Sequence, residues 1–396
     1  MKLISIVGQG YVGLPLSLAI AGSGFKVCGI EVDEAKSKNL NDGETKIEGI
    51  DLSLLKSLIK SQKLFFSQEF DNISNSDVIL ICVPTPLDQD NKPDLRALTA
   101  ATKKIGKNLI RGTLVILEST VAPGTTRSLV SKILMEESGL ALGEFYLAFS
   151  PERIDPLNKN WNLVNTPKLV AGLDKASYIK AFNFYKNFVN EIHECNSLEE
   201  AETAKLLENS FRLVNISLVN ELASFCRVSN IDVTSVIKAA ATKPYGFMPF
   251  YPSIGVGGHC IPVDPIYLAE KANELGAPIQ MIETAVKVND SMPDYFVKKS
   301  AEKLGSLTGK KILVVGVAYK PNVSDVRESP AVSLILRLRG QGALVSWHDE
   351  IVKIWNGEKS VALTKDYDLA IIATLHDYLR LEMLGGVMQL NTGGSI

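Results

Sequence analysis

Apolar residues fall in short uninterrupted runs through the first half of the chain. LISIV (3–7), KVCGIEV (26–32), SDVILICV (76–83) and TLVILES (113–119) each read as a strand buried on both faces. Between the first two runs, Val12 to Ser23 predicts a helix, and the acidic, lysine-rich stretch after residue 32 predicts another. Strands that alternate with helices imply parallel βαβ units, so residues 1–196 are expected to form a doubly wound α/β domain.

The pattern changes at Ser197. No breaker interrupts SLEEAETAKLLENSFRLVNISLVNELASFCR up to Arg227, which predicts one long helix with acids in its first turns, as the helix dipole favours. Leu206, Leu213, Leu218 and Leu222 supply its apolar faces. More helix is expected to about Ala241, then a Gly/Pro-rich loop over 243–265, then helix again. At Lys310 the first pattern returns: KKILVVGVAY, ALVSWHD and DLAIIAT read as strands, and SPAVSLILRLRGQG as a helix with a glycine stop. The expected fold is therefore α/β, with two Rossmann-like doubly wound domains (1–196 and 301–396) joined by an all-helical region (197–300) built on one spine helix. A long helix between two domains is commonly a dimer surface, so a homodimer is expected.

Composition narrows the partners. Of 396 residues, 46% are hydrophobic and 22% charged, an ordinary globular balance, and a net charge of −2 gives no electrostatic case for nucleic acid or an anionic membrane. The five cysteines (Cys28, Cys82, Cys195, Cys226 and Cys260) are odd in number, scattered and without a C-x-x-C, which argues against a disulfide framework or structural zinc and fits a reducing cytoplasm. The N-terminal apolar run is broken by glycines at 8, 10 and 13 and is not read as a signal peptide. No stretch reaches the roughly 20 apolar residues of a transmembrane helix.

Those glycines belong to Gly8-Gln9-Gly10-Tyr11-Val12-Gly13, directly after a strand and opening a helix. Such a turn brings backbone N–H groups to a pyrophosphate at the positive helix end. Glu31, near the end of the second strand, stands where an acid binds both ribose hydroxyls and repels a 2′-phosphate, which favours NAD. The plainer alternative is a tight turn without a ligand. Gly316 stands alone after its strand, so a second dinucleotide site is not expected there.

Three more strand ends carry candidate chemistry. In an open α/β sheet, ligands sit at the carboxyl ends of strands. Thr85 of VPTP and Thr120 of ESTVAPG are thus candidates to line the crevice, or equally turn and cap residues. Glu152 and Arg153 of SPER are candidate substrate contacts, with a solvated carboxylate the plainer reading of Glu152. Lys205 and Asn209 are four apart and share one helix face. A lysine on a helix is most often a solvated charge, and the pair matters only if its face points into a cleft.

Cys260 lies in GVGGHCIPVDP, a loop of glycines and prolines. Cys28 and Cys82, within apolar strands, read as small buried hydrophobes, and Cys226 likewise. For Cys260 a metal would need more ligands than His259 alone supplies, so no metal is expected. A nucleophile fits better, since the glycines, Gly257 among them, permit close substrate approach. A thiol-protease-like pairing with His259 is weakened because adjacent residues point apart.

Taken together, GQGYVGLPL, VPTPLD, ESTVAPGTT, SPERIDP, AETAKLLENSFR, FMPFYPSIGVGGHCIPVDP and GVAYKPNVSDVRESP resemble, in order, the UDP-glucose/GDP-mannose dehydrogenase family, the UDP-sugar 6-dehydrogenases. The resemblance implies an N-terminal NAD domain, a central helical dimerisation region and a C-terminal UDP-binding domain. It also implies oxidation of a C6 alcohol to a carboxylate with two NAD+, through a cysteine thiohemiacetal and thioester. By the same resemblance Cys260 is the nucleophile, and Lys205 and Asn209 stabilise the oxyanion. Asp264 with Thr120 holds the catalytic water or assists proton transfer, Glu152 assists thioester hydrolysis, Lys320 contacts the UDP-sugar and Arg327 reaches the cofactor pyrophosphate.

The loop reads GVGGHCIPVD where UDP-glucose enzymes usually read GFGGSCFPKD, and FMPFYP precedes it. This is similar to the branch acting on UDP-N-acetylglucosamine and UDP-N-acetylgalactosamine in surface polysaccharide synthesis, with His259 as its marker. UDP-N-acetylmannosamine and UDP-glucose are the alternatives, and packing variants without substrate meaning the plain one. Departures from the family pattern are Glu31 for the usual Asp, a PERIDP loop without a second glutamate, and an early end at NTGGSI. Two other classes compete. A two-electron β-hydroxyacid dehydrogenase shares the first domain and the long helix but needs no cysteine, and a non-catalytic binder would not keep Cys260, Lys205, Asn209 and Asp264 together.

Overall fold

Every apolar run read as a strand is one in the computed structural model, which describes residues 3–154, 158, 160–258 and 260–393. His259, the expected branch marker, lies outside the described residues. The chain divides into two compact units, Met1–Leu207 and Glu208–Ile396.

The first unit carries eight strands: β1 (Ile4–Val7), β2 (Val27–Ile30), β3 (Leu64–Ser67), β4 (Val78–Ile81), β5 (Leu114–Leu117), β6 (Tyr146–Phe149), β7 (Lys168–Gly172) and β8 (Ile192–Glu194). Their order is β3-β2-β1-β4-β5-β6-β7-β8. The first six pair in parallel, giving the 3-2-1-4-5-6 order of a dinucleotide-binding sheet, and β7 joins antiparallel to β6. Helices α1 (Gly13–Gly22), α2 (Glu34–Asn41), α3 (Leu52–Lys60), α4 (Arg96–Asn108), α5 (Ser131–Ser138) and α6 (Lys175–Tyr185) complete it. Alternate residues of one strand enter different cores. Val78 and Leu80 join one apolar cluster, and Ile79 and Ile81 the other. Burial on both faces is why these strands read as continuous apolar runs.

Helix α7 (Leu198–Val228) is the predicted long helix, 31 residues without a break. In the second unit α8 (Val233–Ala240) restarts after Asp232, whose carboxylate accepts from the N–H groups of Thr234 and Ser235. Helices α9 (Asp264–Glu274), α10 (Gln280–Leu304) and α11 (Pro330–Gly340) follow. The strands are β9 (Lys311–Val315), β10 (Leu344–His348), β11 (Ile354–Trp355), β12 (Glu358–Lys359), β13 (Leu369–Ile372) and β14 (Met388–Asn391). Four of them form a parallel sheet ordered β10-β9-β13-β14, and β11 and β12 make a hairpin.

The smaller sheet repeats one detail of the larger. Gly8 follows β1 with φ +93°, and a Cβ there would lie 2.6 Å from the Cys82 carbonyl oxygen beyond β4. Gly316 follows β9 with φ +81°, and a Cβ would lie 2.0 Å from the Thr374 carbonyl oxygen beyond β13. In each unit the chain leaving the first strand crosses too close to the neighbouring strand's exit for any side chain.

Candidate functional site

The turn after β1 is pinned from below. Gln9 donates to the Ile6 carbonyl (2.8 Å) and accepts from the Ser17 hydroxyl (2.9 Å). A Cβ on Gly13 would sit 1.8 Å from the Gly8 carbonyl oxygen, so α1 starts directly against the turn, while at Gly10 the space is open. Tyr11 is exposed and Val12 half-buried beside it. This close backbone at a helix start fits a pyrophosphate. Glu31 is buried at the end of β2, where it accepts from Asp33 N–H (3.2 Å) and pairs with Lys36 Nζ at 2.6 Å. The lysine partner was not anticipated from sequence.

Thr85 and Thr120 meet: the Thr85 hydroxyl donates to the Thr120 carbonyl at 2.8 Å. Ser119 next door donates to Val83 O at 2.7 Å, so the loops after β4 and β5 are stitched together. Beneath them lies a buried ionic cluster the sequence reading missed. Lys168 Nζ reaches Glu118 Oε2 at 2.5 Å and the Pro151 carbonyl at 3.2 Å, and the Tyr185 hydroxyl donates to the other oxygen of Glu118. Burial pushes the Glu118 carboxyl up, against the pull of Lys168. Its signal in the sequence is the one charge at the start of the apolar strand KLVAG. Pro151 leads into Glu152, whose carboxylate accepts from Ile154 N–H, and Arg153 donates to Pro167 O at 2.6 Å.

Glu202, on α7, is a second missed acid. Its carboxylate accepts from Gly124 N–H (2.6 Å) and from Thr126 N–H and Oγ1 (2.9 and 2.6 Å). It thereby fastens the far end of the loop that carries Thr120. Burial outweighs these donors and raises its pKa to about 7.

Lys205 and Asn209 follow on the same helix and are 8% and 9% exposed. Burial removes the solvated-charge reading of Lys205. Asn209 Nδ2 donates to Asp264 Oδ2 at 2.6 Å, and Asp264 is 3% exposed at the first turn of α9. The sequence put these two residues in one reaction; the fold puts them in one hydrogen bond.

Cys260 sits one turn before α9, its carbonyl accepting from Asp264 N–H at 2.9 Å. It is exposed, and the other four cysteines are buried. Burial drives the Cys28 and Cys195 thiols up to about 12 and about 11, and Cys82 well above its usual value. The Cys260 loop is held within the second unit by Val256 N–H to Asn289 Oδ1 (2.7 Å), Ser253 N–H to Asn220 Oδ1 (2.8 Å) and Gly258 N–H to Arg327 O (3.1 Å). Val256 packs with Leu213 of α7 and Ala285 of α10. The close approach that Gly257 permits is to the chain itself: a Cβ would lie 2.5 Å from Glu328 O and 2.9 Å from Tyr319 Cβ. Lys320 is half-buried in that neighbouring loop. Arg327, expected to reach a pyrophosphate, here clamps Asp325 (Nη2 to Oδ2 2.6 Å).

The predicted residues therefore fall in two sets. Gly8, Gly10, Tyr11, Val12, Gly13, Glu31, Thr85, Thr120, Glu152, Arg153 and Lys205 belong to the first unit. Asn209, Gly257, Cys260, Asp264, Lys320 and Arg327 belong to the second. Among the described residues no helix is long and apolar enough to cross a membrane.

Three family models match the chain in sequence. They are the NAD binding domain (residues 2–189), central domain (199–291) and UDP binding domain (313–390) of the UDP-glucose/GDP-mannose dehydrogenase family. A UDP-N-acetyl-D-glucosamine 6-dehydrogenase of Pseudomonas aeruginosa is 33% identical over 94% of this chain and 90% of its own length. A UDP-N-acetyl-D-mannosamine dehydrogenase of Methanocaldococcus jannaschii is 34% identical over 95% and 86%. The solved structure of a UDP-D-ManNAc dehydrogenase from Pyrococcus horikoshii superposes with a TM-score of 0.91 at 31% identity, covering 99% of this chain and 95% of that one. With a dinucleotide turn after β1 and an exposed thiol before α9, the chain belongs to the UDP-glucose/GDP-mannose dehydrogenase family and is an NAD-dependent UDP-sugar dehydrogenase.

Proposed function

We propose that the substrate is a UDP-N-acetylhexosamine, UDP-N-acetylglucosamine first among them, oxidised at C6 from alcohol to carboxylate. The observation that carries a four-electron reaction is Cys260, exposed in a tethered loop while every other thiol is buried. NAD+ supplies the hydride acceptor at each of the two oxidations. Cys260 adds as thiolate to the C6 aldehyde, forming the C–S bond of a thiohemiacetal whose oxygen takes a proton. Loss of hydride from that carbon and of the proton from its oxygen leaves a thioester, and water cleaves the C–S bond to give carboxylate and thiol. Lys205 and the amide of Asn209 stabilise the alkoxide at each stage. Asp264, with Thr120, orients water or moves its proton, and Glu152 assists the hydrolysis. Gly8, Gly10, Tyr11, Val12, Gly13, Glu31, Thr85 and Arg327 bind the dinucleotide; Arg153, Gly257 and Lys320 bind the UDP-sugar.

The stretch FMPFYPSIGVGG before the cysteine supports the N-acetylhexosamine choice. UDP-N-acetylmannosamine is the second reading, favoured by the relatives and the solved structure named for that sugar. NADH release against UDP-glucose, UDP-GlcNAc, UDP-GalNAc and UDP-ManNAc separates them. The expected result is two NADH per UDP-GlcNAc. One NADH per sugar would sink the thioester route, and a clear preference for UDP-ManNAc would overturn the substrate.

A second copy of the chain is the proposed partner of α7. Leu207, Phe211, Leu218 and Phe225 are all exposed on it, at spacings of 4, 7 and 7 residues, the repeat of a helix-pairing seam.

A further inference from the structure

The only buried histidine–carboxylate pair among the described residues lies in the second unit, where the proposed chemistry makes no use of it. His376 is 1% exposed and follows β13; Asp349, also 1% exposed, follows β10. His376 Nε2 is 3.1 Å from Asp349 Oδ2, and its Nδ1 accepts the Asn322 N–H at 2.9 Å. A nitrogen that accepts carries no proton, so the ring is the neutral tautomer that donates from Nε2 to Asp349. Tyr378 stacks on it at 5.2 Å with the planes 12° apart.

Both ends of this relay are anchored. Asp349 Oδ2 also accepts from Val317 N–H (3.0 Å), and Oδ1 from the N–H groups of Ile351 and Val352 (2.9 and 3.0 Å). Asn322 is gripped a second time by Asp377: its Nδ2 donates to Oδ2 at 2.8 Å and its Oδ1 accepts Asp377 N–H at 3.1 Å. The grip holds Asn322 at φ +64°, a left-handed conformation costly for most side-chain-bearing residues.

Asn322 stands in the loop 319–328, which begins with Tyr319 and Lys320 and ends at Glu328. The opposite side of this loop carries the Cys260 segment. A Cβ on Gly258 would lie 2.8 Å from Tyr319 Cε2, Gly257 abuts Glu328 O, and Gly258 N–H donates to Arg327 O. One loop thus connects the histidine to the nucleophile segment, with Lys320 between.

We propose that His376 is a positioning residue: through the Asn322 backbone N–H it fixes the loop 319–328, and that loop sets both Lys320 and the Cys260 segment. The part concerning Lys320 rests on its reading as a UDP-sugar contact; the part concerning Cys260 does not.

Two readouts on the full chain test it. The first is the rate of Cys260 carboxamidomethylation by iodoacetamide, followed by peptide mass spectrometry; the second is calorimetric binding of UDP. His376→Leu leaves the Asn322 N–H without its acceptor and removes one of the donors to Asp349. It is expected to change the alkylation rate at least ~5-fold and weaken UDP ~10-fold. His376→Gln keeps an acceptor and a donor and is expected within ~3-fold of wild type on both counts. Asn322→Ala keeps the backbone N–H to His376 but removes the Asp377 grip at a left-handed φ that Ala disfavours; it loosens the same loop from its other anchor, is expected to follow the Leu variant, and serves if that variant does not fold. Wild-type alkylation in both His376→Leu and Asn322→Ala overturns the proposal. So does a Gln variant as impaired as Leu at native melting temperature, because bulk and not hydrogen bonding would then be what matters. Wild-type protein that fails to bind UDP overturns the reading of Lys320, and alkylation alone then decides the role of His376.

Discussion

Exposure sets Cys260 apart from the other cysteines. A thiolate must reach substrate, and four of the five cysteines are buried. Cys260→Ser keeps the loop's shape and removes the proposed nucleophile. Steady-state NADH production is expected to fall at least ~10³-fold, with UDP and NAD binding by calorimetry retained. Full turnover in that variant would refute the assignment. Asn209, proposed to stabilise the oxyanion, also donates its side-chain amide to the buried Asp264. Asn209→Ala is expected to lower kcat by ~10² and to cost about 1 kcal/mol of stability in urea titration, because Asp264 loses one of its partners. An unchanged kcat would reduce Asn209 to a packing residue. None of these contacts could be read from spacing alone. Residues 209 and 264 lie on different helices, and only their packing makes them neighbours.

At the scale of elements, α7 couples to the loop after β5 through Glu202. Its carboxyl holds its proton up to about pH 7 in the fold and releases it near 4.5 in the unfolded chain. The fold therefore binds more protons than the unfolded chain between those values. The stability from this group is fully present below pH 4.5 and lost as pH rises through 7, a change of order 3 kcal/mol. Glu202→Gln is expected to flatten the dependence of the urea midpoint on pH in that window; an unaltered slope would assign it to other groups. Lys168, Glu118 and Tyr185 form a second device, at the start of β7. Lys168→Met strands a buried carboxylate and is expected to cost about 3–5 kcal/mol, most of it recovered when Glu118→Gln is added. Additive single-site losses would show that the pair is not coupled. Elements themselves were legible: the strand cores, the length of α7 to within a residue at each end, and the restart at α8 all follow from apolar period, caps and breakers. The ionic cluster was not, because a lysine at one strand's start and a glutamate at another's end, 50 residues apart, show no relation until the fold sets them side by side.

For the whole molecule, the exposed stripe on α7 leads to an association test. Leu218→Glu with Phe225→Glu places charge in the seam and is expected to shift sedimentation from dimer to monomer at micromolar concentration. Wild-type chain that sediments as a monomer would remove the proposed partner.

Local chemistry is what the sequence determined by itself. Continuous apolar runs, buried on both faces, specify parallel strands, Gly8 and Gly13 specify the turn a dinucleotide needs, and the motif series specifies the family. These are properties of a few consecutive residues and their backbone conformations. The tertiary structure decided which groups are dry and which are paired. It buried Lys205, exposed Cys260, gave Asp264 to Asn209, set Lys36 on Glu31, and tied the loop 319–328 to His376. Burial and partnership are sums over residues far apart in the chain, so no window of sequence contains them.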